Sequence, residues 1–162
     1  MENGERAARA VAAALTLQKR RLATAESCTG GMIGMLLTGV AGVSAVYVGG
    51  VIAYDNAVKQ SLLKVPAEIL AARGAVSVEC AEAMALGAVE RLGADCAIAT
   101  TGIAGPDGGS AAKPVGMVCI GICIDGKCWH EINYFSGSRQ EIRTLAAARA
   151  LTLLGEKLAM AK

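Results

Sequence analysis

The chain has few residues of the kinds that build metal sites and histidine-based catalysis. Only one of its 162 residues is histidine, His130, and the six cysteines contain no CxxC pair. A zinc site needs Cys or His at coordination spacing, so the pattern argues against a metal centre. The cysteines lie mostly in apolar segments, and we expect all six to be buried, reduced thiols, at positions 28, 80, 96, 119, 123 and 128.

Long apolar runs and a strong charge bias are also missing. Gly, Thr or a charged residue interrupts each apolar run well before the roughly 20 residues that a membrane helix needs, and the polar first residues do not resemble a signal peptide. Lys and Arg total 16 against 14 Asp and Glu, a net charge of +2. This balance gives no reason to expect a nucleic acid or a membrane as partner. We therefore expect a cytoplasmic protein with a small-molecule ligand.

Length and apolar content predict one compact unit. A chain of 162 residues that is 54% hydrophobic can bury one core and is too short for two full domains, so residues 1–162 are expected to form a single domain. The hydrophobic fraction is high for so small a domain, which favours a homodimer. Alanine-rich first and last helices can pack between subunits, so a homo-oligomeric structural or regulatory protein is one hypothesis for the function.

Strand and helix patterns alternate along the chain. Apolar and β-branched runs predict strands at 21–26, 45–53 (with a bulge at Gly49-Gly50), 95–101, 115–124 and 127–135, the last two as a hairpin. Helical periodicity and capping residues predict helices at 5–20, 27–37, from the Tyr54-Asp55-Asn56 cap to 63, and at 66–74, 77–92 and 138–159. This order predicts a three-layer α/β/α domain whose mixed sheet has about five or six strands.

Polar and glycine-rich segments follow three of the predicted strands, at 25–31, 54–59 and 100–109. Open α/β sheets place their sites at such strand ends. In the first segment Ser27 lies between a strand and a Gly-flanked helix start, where its hydroxyl is exposed and neighbouring N–H groups can stabilise an oxyanion. Two alternatives remain: Ser27 or Thr29 is only a helix N-cap, or the turn binds a phosphate without any nucleophile.

A serine nucleophile needs a base, and the sequence offers two candidates. The lone histidine belongs to the hairpin, far from the Gly-rich turns, which argues against a Ser-His-Asp triad. Lys59 lies one helical turn beyond the 54–56 cap and can act as a base if burial lowers its pKa, although a lone lysine is more often a solvated surface charge. Cys28 has no adjacent histidine and is expected to be packed. Arg139 and Arg143 form either a phosphate clamp or a surface pair.

Five motifs in order resemble the CinA carboxy-terminal-domain family: AESCTGG at 25–31, YDNAVK at 54–59, GAVS at 74–77, TGIAGPDGG at 101–109 and KPVG at 113–116. The resemblance covers residues 5–157. Stand-alone members of this family are nicotinamide-nucleotide amidohydrolases, which convert nicotinamide mononucleotide to nicotinic acid mononucleotide and ammonia without a metal or cofactor. The resemblance implies the same three-layer fold and the same activity, with a pyridine nucleotide as substrate.

The resemblance also implies roles for individual residues. Ser27 corresponds to the nucleophile and Lys59 to its base. A GDR-like motif reads Gly137-Ser138-Arg139 here, with serine in place of an acidic residue, and Arg139 corresponds to its arginine. The implied substrate-binding residues are Thr29, Gly30, Gly31, Tyr54, Asn56, Thr101, Gly102, Gly105 and Arg139.

Two limits accompany these implications. Longer family members carry a separate amino-terminal domain with nucleotide pyrophosphatase activity, for which this chain has no residues, so that activity is not expected. The glycine turns are explained equally well by a nucleotide-binding module that lacks catalysis, in which Lys59 is one more contact. Release of ammonia distinguishes the enzyme from this alternative.

Overall fold

The computed structural model describes residues 1–161, in which five strands form one mixed sheet. Strand β1 is parallel to both of its neighbours, β2 and β3, whereas β3, β4 and β5 run antiparallel to one another. The mixed sheet of about five strands is therefore confirmed. Its spatial order is β2-β1-β3-β4-β5, with bounds β1 Leu22–Glu26, β2 Tyr47–Ile52, β3 Cys96–Gly102, β4 Met117–Ile124 and β5 Lys127–Tyr134.

Helices cover both faces of this sheet. Helices α1, α2 and α6 pack on one face, where they share a large apolar cluster with the sheet. Helices α3, α4 and α5 pack on the other face over a second cluster. The predicted three-layer α/β/α arrangement is confirmed. The helices are α1 Glu2–Gln18, α2 Met32–Thr38, α3 Asn56–Leu63, α4 Ala67–Arg73, α5 Val78–Leu92 and α6 Arg139–Met160, with a 3-10 turn at Val43–Ala45.

Small residues allow α5 to lie close to the sheet and to α3. Strand β1 presents Ala23 and Ala25 towards this face. A side chain at Gly121 of β4 would overlap the Ala81 carbonyl of α5, and one at Gly87 of α5 would overlap the Leu63 carbonyl at the end of α3. Close packing of this kind fixes α5 against the sheet and α3 against α5.

Three of the four predicted side-chain caps are present at the starts of their helices. Asp55 accepts a hydrogen bond from Ala57 N (2.7 Å), and Ser77 accepts one from Cys80 N (3.2 Å). Ser138 forms a capping box with Glu141 at the start of α6. Serine therefore keeps the cap at the position where the GDR-like motif has an acidic residue. The exception is α2, which begins at Met32 and not at residue 27.

The bulge in β2 lies close to its predicted position, whereas the prediction for the hairpin cysteines is wrong. The register between β1 and β2 shifts at Val48, one residue before the predicted Gly49-Gly50 bulge. The expectation of six reduced thiols is wrong for two of them, because Cys123 and Cys128 form a disulfide. They are direct cross-strand neighbours on either side of the tight hairpin turn, which brings their sulfur atoms together. The other four are buried and free: Cys28, Cys80, Cys96 and Cys119.

Among residues 1–161, no helix combines the length and the apolar character that crossing a membrane requires.

Candidate active site

A cavity of about 250 Å³ opens at the carboxyl ends of β1 and β3. The connection that follows β1 leads to β2 on one side of it, whereas β3 lies on its other side. Open α/β sheets bind ligands at points where the connections diverge in this way. The three predicted segments meet here. The cavity is lined by most of the predicted site residues, namely Ser27, Tyr54, Asn56, Lys59, Thr101, Gly102, Gly105 and Arg139.

Ser27 and Lys59 form the polar centre of the cavity. Lys59 Nζ lies 3.1 Å from Ser27 Oγ, which is hydrogen-bond distance. Lys59 is 1% exposed and Ser27 is 8% exposed, so both groups are shielded from bulk water. A hydroxyl held beside an amine in this way has the geometry of a nucleophile and its base.

Two main-chain carbonyls orient the lysine. Lys59 Nζ also donates to the carbonyl oxygens of Ala53 (2.8 Å) and Tyr54 (3.0 Å). A carbonyl oxygen only accepts, so these two contacts occupy two N–H groups in either protonation state. In the neutral amine the remaining tetrahedral position near Ser27 is a lone pair. The neutral lysine is therefore oriented to take the proton from the Ser27 hydroxyl.

Burial also favours the neutral form of this amine. Removal from water disfavours an ammonium and lowers the pKa of Lys59 below its usual value of 10.5, and this effect outweighs the opposing effects of nearby groups, including the Asp55 carboxylate. A larger fraction of Lys59 is then neutral near pH 7 than for a lysine in water. A neutral amine can accept a proton, so Lys59 is a candidate general base.

The start of α3 explains how a buried lysine arises from an ordinary helix sequence. The Asp55 cap begins the helix, and Lys59 N donates to Asp55 O (3.1 Å) in its first turn. Long side chains on a helix point back towards its amino terminus. The Lys59 side chain therefore points back to the carbonyls of Ala53 and Tyr54, which lie between β2 and α3, and reaches the end of β1.

The turn after β1 is built around a residue that the sequence analysis missed. Neither Ser27 nor Thr29 caps α2. The carboxylate of Glu26 does so, accepting hydrogen bonds from Gly31 N (3.1 Å), Ile33 N (3.0 Å) and Gly34 N (2.9 Å). A signal was present in the sequence, because a carboxylate that ends an apolar strand must find donors when it is buried.

Three predicted binding residues shape this turn and do not line the cavity. Thr29 is fully buried, donates to Glu26 Oε2 (2.6 Å) and lies 2.7 Å from Thr100 Oγ1. Gly30 and Gly31 have φ values of 59° and 100°, in the left-handed region that favours glycine. Their glycine character serves the turn that presents Ser27.

Cys28, the other candidate nucleophile, is packed as expected. Its side chain is buried, and burial raises the pKa of the thiol to about 12, with the nearby Glu26 carboxylate acting in the same direction. A thiol with this pKa is almost entirely protonated at neutral pH and is a poor nucleophile. Of the two side chains, only the Ser27 hydroxyl has an amine of residues 1–161 within hydrogen-bond distance.

The two arginines of α6 have different surroundings. Arg139 lines the cavity, where its Nη1 donates to Gly105 O (2.6 Å) and its Nη2 to Tyr54 Oη (3.2 Å). A guanidinium carries five N–H groups, so donors remain for an anion. Arg143 instead donates to the carbonyls of Cys28 (3.1 Å) and Thr29 (3.0 Å), and it fastens the turn to α6.

The lone histidine lies away from the cavity. His130 Nδ1 lies 2.7 Å from Glu82 Oε1 on the face of the hairpin, and the His130 side chain is 50% exposed. In the part of the chain that the structure describes, residues 1–161, no group of three or more His, Cys, Asp and Glu side chains is arranged to hold a metal ion.

Sequence comparison relates the chain to a family. A family model described as the CinA C-terminal domain matches residues 4–158. A CinA-like protein of Mycolicibacterium gilvum (strain PYR-GCK) is 49% identical over 146 residues, 90% of this chain and 35% of that protein. One of Geotalea daltonii is 43% identical over 157 residues, 97% of this chain and 38% of that protein. The chain thus spans about a third of the length of these relatives.

Solved structures agree with the sequence relatives. A competence-damaged protein (CinA) superfamily protein from Klebsiella pneumoniae 700603 superposes with a TM-score of 0.93 at 38% identity, covering 97% of this chain and 98% of that one. A competence/damage-inducible protein from Agrobacterium tumefaciens gives a TM-score of 0.92 at 42% identity, covering 97% and 96%. The chain belongs to the CinA C-terminal domain family.

Proposed function

We propose that this chain is an amidohydrolase that converts nicotinamide mononucleotide to nicotinic acid mononucleotide and ammonia. The observation that supports catalysis most strongly is the buried Ser27–Lys59 contact of 3.1 Å, in which two carbonyls orient the amine. The choice of substrate rests on the five motifs that resemble the stand-alone amidohydrolases of the CinA family. No metal or cofactor takes part in the proposed reaction.

In the first step Ser27 Oγ attacks the carboxamide carbon while neutral Lys59 takes the hydroxyl proton. The carbonyl π-bond opens to give a tetrahedral oxyanion. Main-chain N–H groups of the turn are the available donors for this charge, and within residues 1–161 those of Cys28 and Thr29 donate to no protein oxygen. The developing charge therefore has nearby donors that need not break an existing hydrogen bond.

In the second step the Lys59 ammonium returns its proton to the carboxamide nitrogen, the C–N bond breaks and ammonia leaves. An ester between Ser27 and the nicotinoyl group remains. A water molecule then attacks this ester with Lys59 again as base, and the acid product leaves as Ser27 regains its proton. One base thus serves both halves of the cycle.

The charges of the cavity suit a pyridine mononucleotide. The cationic pyridinium ring withdraws electrons from the carboxamide carbon, and it also disfavours an ammonium on nearby Lys59. Arg139 retains donors for a phosphate at the cavity wall. The cavity volume of about 250 Å³ lies just below the range of about 300 to 1,000 Å³ that is typical of small-molecule sites.

The test compares Ser27→Ala with Ser61→Ala, the same substitution at an exposed position of α3. With a chelator present, we expect wild type and Ser61→Ala to release ammonia and nicotinic acid mononucleotide in equal amounts. Loss of the nucleophile should lower kcat by about 10³-fold or more in Ser27→Ala.

Two results would contradict the proposal. Turnover that persists in Ser27→Ala would exclude covalent catalysis by this residue. Binding of nicotinamide mononucleotide by the wild type without ammonia release would establish the alternative, a nucleotide-binding module that has the same fold and no catalysis.

A further inference from the structure

Glu26 is a buried carboxylate that holds both ends of the nucleophile turn. It ends β1 immediately before Ser27 and is 2% exposed. Its Oε2 accepts from Thr29 Oγ1, Gly31 N and Ile33 N at 2.6 to 3.1 Å, and its Oε1 accepts from Gly34 N at 2.9 Å. One side chain therefore joins the strand before the turn to the helix after it.

The same carboxylate is linked to the neighbouring strand. Thr29 Oγ1, which donates to Glu26, lies 2.7 Å from Thr100 Oγ1 on β3. Ser27 N donates to Thr100 O at 2.9 Å. The main chain of the nucleophile is thus fixed to β3 directly and, through Glu26 and Thr29, a second time.

Arg143 holds the opposite side of the turn. Its guanidinium donates to the carbonyls of Cys28 and Thr29. The C=O and N–H of a trans peptide point in opposite directions, so this contact also sets the direction of the Thr29 N–H. The turn is held between an anion that binds its N–H groups and a cation that binds its carbonyls.

We propose that Glu26 is a positioning residue, whose buried carboxylate holds the Ser27 turn in the geometry that attack on the carboxamide requires. The catalytic part of this inference rests on the proposed function. Glu26 does not line the cavity and acts through the main chain of residues 27–34. Reacting atoms must lie within a few tenths of an ångström of their productive positions, and a shift of about 1 Å can cost about 100-fold in rate.

The experiment compares Glu26→Gln with Asp95→Asn. Asp95 also accepts a main-chain N–H, that of Arg21 (2.7 Å), but at the opposite end of β1. Glutamine has the shape of glutamate but only one acceptor oxygen, so its NH2 group must face at least one main-chain donor. Thr29→Val, which keeps the shape and removes the hydroxyl together with its contacts to Glu26 and Thr100, is the second variant should Glu26→Gln fail to fold.

Two quantities are measured for each variant: amide hydrogen exchange of residues 27–34, and kcat and KM for nicotinamide mononucleotide. In Glu26→Gln we expect faster exchange at these amides, kcat about 10- to 100-fold lower and KM within about threefold of wild type. Asp95→Asn should leave both the exchange of residues 27–34 and kcat unchanged. Thr29→Val should change both quantities in the same direction as Glu26→Gln and by less.

Each outcome decides the inference. Exchange at residues 27–34 that matches wild type in the folded variant would show that Glu26 does not hold the turn. Faster exchange with an unchanged kcat would overturn the positioning role. If Glu26→Gln shows faster exchange but the wild type releases no ammonia, Glu26 does hold the turn and only the proposed function fails.

Discussion

The molecule contains two pairs of ionisable or reactive side chains that lie within hydrogen-bond distance but in different surroundings. His130 and Glu82 are residues that often act in catalysis, and they lie 2.7 Å apart on the hairpin face, half exposed. Ser27 and Lys59 lack any histidine or carboxylate partner at the reacting atoms, and they lie 3.1 Å apart in near-complete burial. Residue type favours the first pair as a catalytic site, whereas environment favours the second.

The difference shows that burial and fixed acceptors, more than residue type, distinguish the Ser27–Lys59 pair as the candidate for catalysis. The hairpin pair is partly exposed, with 50% of the His130 side chain and 35% of the Glu82 side chain accessible to solvent, and neither residue lines the cavity. In the cavity, burial lowers the pKa of Lys59 and two carbonyls direct its free position at Ser27. The proposed roles of Ser27 and Lys59 rest on these two features.

The two pairs should differ most in kcat when the amine of Lys59 and the imidazole of His130 are each removed. Lys59→Met keeps the length of the side chain and removes the base, so kcat for ammonia release should fall by about 10²- to 10⁴-fold. His130→Gln should leave kcat unchanged, because His130 lies outside the cavity. Lys64→Met, at an exposed lysine that ends the same helix, is the matched control.

Steady-state ammonia release measures these three variants, with thermal unfolding to verify that each is folded. A loss in His130→Gln that equals the loss in Lys59→Met would remove the distinction between the two pairs. Full activity in folded Lys59→Met would leave Ser27 without its proposed base.

The next effect concerns pH. Lys59 must be neutral to take the Ser27 proton, so kcat/KM should rise about tenfold per pH unit below the pKa of Lys59 and level off at a pH lower than 10.5. His130→Gln should keep the same profile. A profile that is flat throughout, or that changes in His130→Gln, would assign the titrating group elsewhere.

The lowered pKa of Lys59 should also make the free energy of unfolding depend on pH. The folded pKa of Lys59 is lower than the unfolded value, so the unfolded chain binds more protons and folding becomes more favourable as pH rises from the folded towards the unfolded pKa. Wild type should therefore gain stability relative to Lys59→Met over this window. The difference between wild type and Lys64→Met should stay flat, and urea unfolding at several pH values measures both.

The fold was largely accessible from the sequence because its signals are local. The hairpin turn, the caps at Asp55, Ser77 and Ser138, and the alternation of strands and helices each follow from a few neighbouring residues. The start of α2 was misplaced because its cap comes from Glu26, six residues before the helix. Capping rules look for a side chain directly at the helix start.

The site was accessible only in part. Spacing could place Ser27 and Lys59 at strand ends but gave no measure of their separation, because the contact depends on the packing of α3 against α5 at Gly87. The resemblance implied a binding role for Thr29, whereas its hydroxyl is directed inward to Glu26 and Thr100. Which way a turn directs a side chain depends on partners far along the chain.

The smallest effect should come from the hairpin disulfide, which lies at the opposite end of the strands from Ser27. Cys123 and Cys128 are only five positions apart, so their bond closes a short loop and should contribute about 2 kcal/mol or less to the free energy of unfolding. A reductant should therefore lower the unfolding midpoint in denaturant slightly, and kcat under native conditions should not change.

Cys128→Ala, which cannot form the bond, is the control for this last effect, because reductant should then leave its midpoint unaltered. The hairpin end and the cavity are joined through β3 and β4, whose central segments are fully buried and pair along their length, and through α5, which packs on both strands. We therefore expect that a loss of order at the hairpin turn leaves the positions of residues 100 to 102 unchanged. A fall in kcat on reduction that parallels the fall in stability would instead show that the two regions move as one, and that the rigidity of the hairpin contributes to the Ser27–Lys59 geometry.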